Sequence, residues 1–197
     1  MSNLSLPFAE AVPILLPAYE QLDLILIGCG GTGGWLAVNL PRIAYVQKQA
    51  GKNVSVTFID PDRVEVTNIP RQNFTPNDLE LPKASVLAAR YGWQWGIEIS
   101  AIVSPFRADM ATSRLRHLTI CIGAVDNPEA RAEIAKVLDN GKTTFWLDCG
   151  NHYESGQVLL GCTECGKYER SLSYFPHSVQ PCHHQRYNMQ ICSSDRN

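Results

Sequence analysis

The chain has 197 residues, 45% of them hydrophobic and 18% charged, and 17 basic against 19 acidic side chains leave a formal charge of −2. That is enough length for one domain with a full core and too little for two sizeable ones. The apolar content excludes a chain disordered throughout, and the near-neutral balance gives no sign of general nucleic-acid affinity.

No basic residue precedes Arg42, so the start lacks the charge of a secretory or mitochondrial presequence, and no apolar run is long enough to cross a bilayer. The expectation is a soluble, cytoplasmic protein without a membrane partner. Seven cysteines are an odd count. Cys29, Cys121 and Cys149 lie in or beside apolar, strand-like runs, where a reduced thiol packs as a small hydrophobe. Cys162, Cys165, Cys182 and Cys192 crowd the end of the chain. A secreted disulfide scaffold would be shorter and carry a signal peptide, so a reducing compartment is expected.

In chain order, residues 1–21 carry Pro7, Pro13 and Pro17 among apolar residues and suit an extended arm or a short docking helix. Residues 22–27 form an apolar run that predicts a strand buried on both faces. Gly28-Cys29-Gly30-Gly31-Thr32-Gly33-Gly34 follows, and the apolar stretch 35–46 predicts a helix kinked at Pro41. A second strand is expected over 54–59, ending at Asp60-Pro61-Asp62, with weaker strands near 97–103 and 118–122.

Asp126-Asn127-Pro128-Glu129 is a helix start, with a capping side chain, proline in the first turn and an acid near the positive dipole end. That helix should run to about Leu138 and stop near Asn140-Gly141. The last strands are expected over 144–147 and 157–160. Strands alternating with helices predict an α/β domain over residues 22–161, with a mainly parallel Rossmann-like sheet and helices on both faces. Residues 162–197 contain no alanine, no tryptophan and no helical or alternating period. This Cys/His-containing tail either folds around a metal or is a loosely packed, truncated end.

Gly28-x-Gly30-x-x-Gly33 between a strand and a helix lets the backbone turn tightly and come close to a phosphate, with Gly31 alongside. Asp60, at the end of the second strand, is placed to accept hydrogen bonds from ribose hydroxyls. Alone, the loop would suggest a nicotinamide oxidoreductase. The next residues point elsewhere. Asp60-Pro61-Asp62-Arg63-Val64-Glu65-Val66-Thr67-Asn68-Ile69-Pro70-Arg71-Gln72, then Pro82-Lys83-Ala84 and Val125-Asp126-Asn127, occur in that order across the domain. This set resembles the signature of the ThiF/MoeB/ubiquitin-activating enzyme superfamily. The small size is similar to ThiF-like proteins of bacterial mobile-element (PRTRC-type) gene clusters.

The resemblance implies adenylation: a ubiquitin-like or sulfur-carrier protein presents its C-terminal carboxylate to the α-phosphate of ATP, and pyrophosphate leaves. Arg71 then offers a planar fork to phosphate oxygens, Lys83 a compact charge, and Asp126 a hard carboxylate for Mg²⁺. Gly28, Gly30, Gly31, Gly33, Asp60, Asp62, Asn68 and Asn127 complete the expected nucleotide site, while Gln72 reads as structural. The carrier protein, and a second copy of the chain in a homodimer, are the implied partners.

The chain departs from the family pattern in three places. Many members place near their start an arginine that reaches a partner subunit's ATP site, and here none precedes Arg42. The family's thioester cysteine has no clear counterpart, since Cys149 reads as a buried thiol. Of the two zinc-binding CxxC pairs common in the family, one is present, Cys162-Thr163-Glu164-Cys165. Cys182 and His183, with His184 and Cys192 nearby, would have to complete a mixed Zn²⁺ site. A catalytically impaired nucleotide-binding partner is the alternative reading.

Overall fold

The computed structural model describes residues 16, 18–111, 115–140, 144–151, 156–162 and 187–191. Seven strands form one sheet in the order β3-β2-β1-β4-β5-β6-β7. They are β1 (Gln21–Ile27), β2 (Asn53–Ile59), β3 (Ser100–Ile102), β4 (His117–Gly123), β5 (Thr144–Asn151), β6 (Gly156–Cys162) and β7 (Tyr187–Ile191). The first five pair in parallel, and β6 and β7 add antiparallel strands at one edge. This is a Rossmann-like α/β sheet with an antiparallel extension.

β1 is the middle of the five parallel strands, and its run from Leu24 to Ile27 is apolar on both faces. Leu22, Leu24 and Leu26 point to one face and Ile25 and Ile27 to the other, all buried. The first face is covered by helices α2 (Leu40–Gln49) and α3 (Lys83–Trp95), which add Ala44, Leu87, Ala88 and Tyr91 to Val56, Phe58 and Leu118 of the strands. On the second face, Ile134 of α4 (Pro128–Ala135), with Val137 and Leu138 of the turn after it, packs on Ile59 and Cys121. Removing from water a side chain as fully buried as Leu26 or Phe58 contributes roughly 1.5–3 kcal/mol. The register brings Ile27, Ile59 and Gly123 level, with Asp148 of β5 opposite Gly123. The chain order turns back between β1 and β4, which opens a crevice at the carboxyl ends of these strands.

Four elements differ from the sequence expectation. The helix predicted over 35–46 is two helices: α1 (Gly31–Leu36) starts inside the glycine loop, and α2 begins one residue before Pro41. Pro41 lacks an amide hydrogen, so it sits in the first turn of α2, where none is needed, instead of kinking a continuous helix. α3 was not anticipated as an element, although Ala84, Leu87, Ala88 and Tyr91 recur at helical spacing along its buried side. Gly96, in the left-handed region at φ 61°, ends it. β7 is a strand inside the stretch where no alternating pattern was found. No described helix is long and apolar enough to cross a membrane.

Candidate nucleotide and carboxylate site

A cleft of about 1030 Å³ opens along the carboxyl edge of the sheet, over the ends of β1, β2, β4 and β5. Of the residues expected in a nucleotide site, Gly28, Gly30, Gly31, Asp60, Asp62, Asn68, Arg71, Lys83, Asp126 and Asn127 all line it. Gly33 does not, and its role is different. A Cβ there would sit 1.8 Å from the Gly28 carbonyl oxygen, so glycine is what lets α1 close on the end of β1. Gly28 has φ +88°, and a Cβ on it would meet the Ala124 carbonyl oxygen at 2.6 Å.

Gly30 and Gly31 face the opposite situation. A Cβ on Gly31 would meet nothing within 4 Å, and one on Gly30 only the Gln72 amide at 3.8 Å. No internal contact requires glycine at these two positions, and the space in front of them is open cleft.

Asp60 is buried, and its two oxygens accept the Cys29 amide at 2.5 Å and the Asp62 amide at 2.7 Å. Burial pushes its carboxyl up from the ordinary value, against the two amide bonds and the Lys83 charge that pull it down. The carboxylate therefore ties the glycine loop to the end of β2. One acceptor position per oxygen remains for a ribose hydroxyl.

The segment after β2 is pinned at several points before it enters α3. The Asn68 side chain accepts the Glu65 amide at 3.0 Å, and the Glu65 side chain accepts the Asn68 amide in return. The Asn73 amide donates to the Gly34 carbonyl at 2.9 Å and to the Tyr91 hydroxyl at 2.6 Å. Arg90 donates to the Asn73 carbonyl at 2.9 Å and pairs with Asp78 at 2.5 Å. This holds Arg71 over the cleft with an exposed guanidinium whose one bond among the described residues runs from Nε to the Thr67 carbonyl at 3.2 Å. Gln72 turns its amide toward Gly30, and its Oε1 is buried with no hydrogen-bond partner among the described residues.

Lys83, the first residue of α3, is buried. It is 7% exposed and ends 3.0 Å from Asp62, whose side chain is 64% exposed. At the other wall, the side chain that caps α4 is Asn127, which accepts the Ala130 amide at 2.7 Å. The neighbouring Asp126 is exposed and makes no hydrogen bond or ion pair with any described residue. A single uncommitted carboxylate suits Mg²⁺, which keeps several waters and takes phosphate oxygens for the rest.

The cleft is also lined by residues that the sequence did not single out for the site, among them Phe106, Arg131 and Gly150. Arg131 Nε lies 3.4 Å from the buried Asp148 carboxylate. Cys149 lines the cleft and also packs against the core, and burial, then the Asp148 charge, pushes its thiol above the ordinary value. The shift works against a reactive thiolate. Of the expected zinc ligands, Cys165, Cys182 and His183 lie outside the described residues, and Cys162 is described only through the backbone of β6. Among the described residues no group of His, Cys, Asp or Glu is assembled for a metal ion.

Two solved structures resemble this chain in fold, and a third matches it more loosely. E. coli MccB with ATP matches at TM-score 0.53 and 19% identity, over 74% of this chain and 44% of MccB. E. coli MccB with AMPCPP and MccA matches at TM-score 0.51 and 20% identity, over the same shares. TcdA (CsdL) matches at TM-score 0.49 and 26% identity, over 62% of this chain and 48% of TcdA. The matched region thus spans under half the length of each. No curated protein matches the chain in sequence. The sequence model of the ThiF family matches residues 16–185, most of the chain and every element that lines the cleft, and the chain belongs to the ThiF family.

Proposed function

We propose that this protein uses ATP to adenylate the C-terminal carboxylate of a ubiquitin-like or sulfur-carrier protein. The observation that carries the reading is the gathering, along one cleft, of the open Gly30-Gly31 backbone, the exposed Arg71 guanidinium, the buried Lys83 ammonium and the uncommitted Asp126 carboxylate. A dinucleotide needs little beyond backbone amides at its pyrophosphate, whereas a triphosphate needs cations at its outer phosphates as well. MccB, solved with ATP and with AMPCPP and MccA, gives the same fold a precedent for a nucleotide.

In this reading the Gly30 and Gly31 backbone approaches the phosphates, and Asp60 takes the ribose with its remaining acceptor positions. A carboxylate is ionised at neutral pH, so the attacking group needs no protein base. Its oxygen bonds to the α-phosphorus, the bond from that phosphorus to the bridging oxygen breaks, and the electron pair leaves with pyrophosphate. Arg71 and Lys83 stabilise the charge that grows on the departing phosphates. Mg²⁺ at Asp126 would add further charge neutralisation there. The stretch of the cleft lined by Phe106 and Gly150 is left for the acyl chain.

The test is pyrophosphate exchange into ATP in the presence of candidate carriers, with wild type, Arg71→Ala and Arg71→Lys. Loss of a donor used mainly in the transition state should lower exchange on the order of 100-fold in Arg71→Ala. Arg71→Lys keeps the charge without the two-point contact and should recover part of it. Exchange at the wild-type rate in Arg71→Ala, or tight NAD binding with no ATP binding, would overturn the assignment.

A further inference from the structure

Lys83 is a buried ammonium whose one side-chain partner among the described residues is the exposed carboxylate of Asp62, 3.0 Å away. This pair is not a chance meeting of two surface groups. The Lys83 amide donates to the Asp62 carbonyl at 2.9 Å and the Val64 amide to the Leu81 carbonyl at 2.9 Å, the two bonds of an antiparallel bridge between Arg63 and Pro82. Arg63 Nη1 adds a third tie, to the Glu80 carbonyl at 2.6 Å. Residues 62–63 and 82–83 are therefore locked in register by backbone before the side chains meet. Asp62 is itself anchored, since its amide binds Asp60, which binds the Cys29 amide of the glycine loop. The line from glycine loop to ammonium is thus Cys29, Asp60, Asp62, Lys83, with a hydrogen bond at each step.

We infer that Asp62 is a positioning residue: it aims the Lys83 ammonium into the cleft and does not itself hold nucleotide. An ammonium has three donors. Asp62 engages one and fixes the direction of the other two, which are left for phosphate oxygens. The same carboxylate places a negative charge beside the path of the phosphates, so it opposes ground-state binding while it orders the cation. These two effects separate. Neutralising Asp62 should leave ATP affinity unchanged or raised, yet slow the step in which Lys83 must meet growing charge. A nucleotide or metal ligand at Asp62 would give the reverse pattern, and a merely structural residue would change neither apart from the melt.

The rate readout rests on the adenylation reading, and a second readout does not. Asp62→Asn keeps shape and removes charge. Pyrophosphate exchange should fall between about 10- and 100-fold, as for a misplaced catalytic group, while the calorimetric ATP Kd stays at or below the wild-type value. Asp62→Glu returns the charge one methylene further out and should recover part of the rate. Its rate and affinity also answer the question should Asp62→Asn fail to fold. In parallel, acetic anhydride labelling read by mass spectrometry should modify Lys83 several-fold faster in Asp62→Asn than in wild type, relative to the exposed Lys48 of the same molecule. Weakened ATP binding with an unchanged rate would overturn the inference, as would unchanged Lys83 labelling. If wild type catalyses no exchange but labelling at Lys83 still rises, the adenylation reading fails and the positioning role stands.

Discussion

The two kinds of glycine in the loop make opposed predictions for the same small change, a single added methyl. At Gly31 the methyl meets nothing within 4 Å, and the residue opens α1. Gly31→Ala should therefore fold and gain up to about 1 kcal/mol from lower chain entropy and better helix propensity. For a chain of this length that is a rise of roughly 2–4 °C in Tm. The methyl also stands where a phosphate would approach the backbone, so ATP affinity should drop by at least about tenfold, or 1.4 kcal/mol. At Gly33 the methyl would lie 1.8 Å from a carbonyl oxygen, with the backbone on both sides of the contact fixed. Gly33→Ala should cost at least the roughly 3 kcal/mol at the upper end for overpacking, and melt well below wild type. Thermal melts with and without ATP read both effects at once. At 100 times its Kd a ligand adds about 2.7 kcal/mol to stability, a shift that wild type should show and of which Gly31→Ala, with a roughly tenfold weaker Kd, should lose about half or more. If Gly31→Ala keeps the full ATP-induced shift, the phosphates do not lie on this loop. If Gly33→Ala melts with wild type, the loop geometry is wrong.

Asn127→Ala should lower stability by about 1 kcal/mol through loss of the α4 cap, whereas Asp126→Asn should leave the melt unchanged and weaken the Mg²⁺ dependence of exchange. Lys83→Met keeps the buried stem and leaves Asp62 in water, so it should fold and lose on the order of 100-fold in exchange rate. Asp78 is pushed up by burial, but the Thr75 bonds and Arg90 outweigh this and hold its carboxyl below the ordinary value. Its contribution is thus present above the unfolded value of about 3.9 and lost as pH falls through the lower folded value. The Tm advantage of wild type over Asp78→Asn should shrink on that acid side, as differential scanning calorimetry at stepped pH would show. Burial pushes the Cys121 thiol up to about 12, so iodoacetamide at pH 8 should leave it unmodified until the protein unfolds.

Much of the fold could be read where local pattern decides it. The apolar run of β1 required burial on both faces, and it received the central place among the five parallel strands. The Asp126-Asn127-Pro128 start was legible as a helix boundary, but which of two adjacent side chains caps it is a matter of backbone angle. That detail frees the carboxylate of Asp126. Pro41 permitted either a kink or a helix start, and packing of Leu40 and Ala44 on the sheet selected the start. β7 depends on β6 for its partner and carries no period of its own. Lys83 illustrates a further limit. Its burial comes from a carboxylate 21 residues earlier and from a backbone bridge between the two segments, neither of which is a property of the sequence around Lys83.

The pinned segment between β2 and α3 has a thermodynamic consequence. Its Asn68 cap, Asn73 bonds and Arg90 contacts are all made by the chain's own residues, so a nucleotide bound as proposed would dock on a wall whose order does not depend on it. A segment that folded on binding would bury much apolar surface and announce itself as a large negative heat-capacity change. Here the main freedom left to freeze on that wall is the Arg71 side chain, at about 0.5–1.5 kcal/mol for a long, rotamer-rich group. ATP binding should accordingly show a heat-capacity change near that of rigid docking, with affinity limited by charge and fit instead of by loop folding.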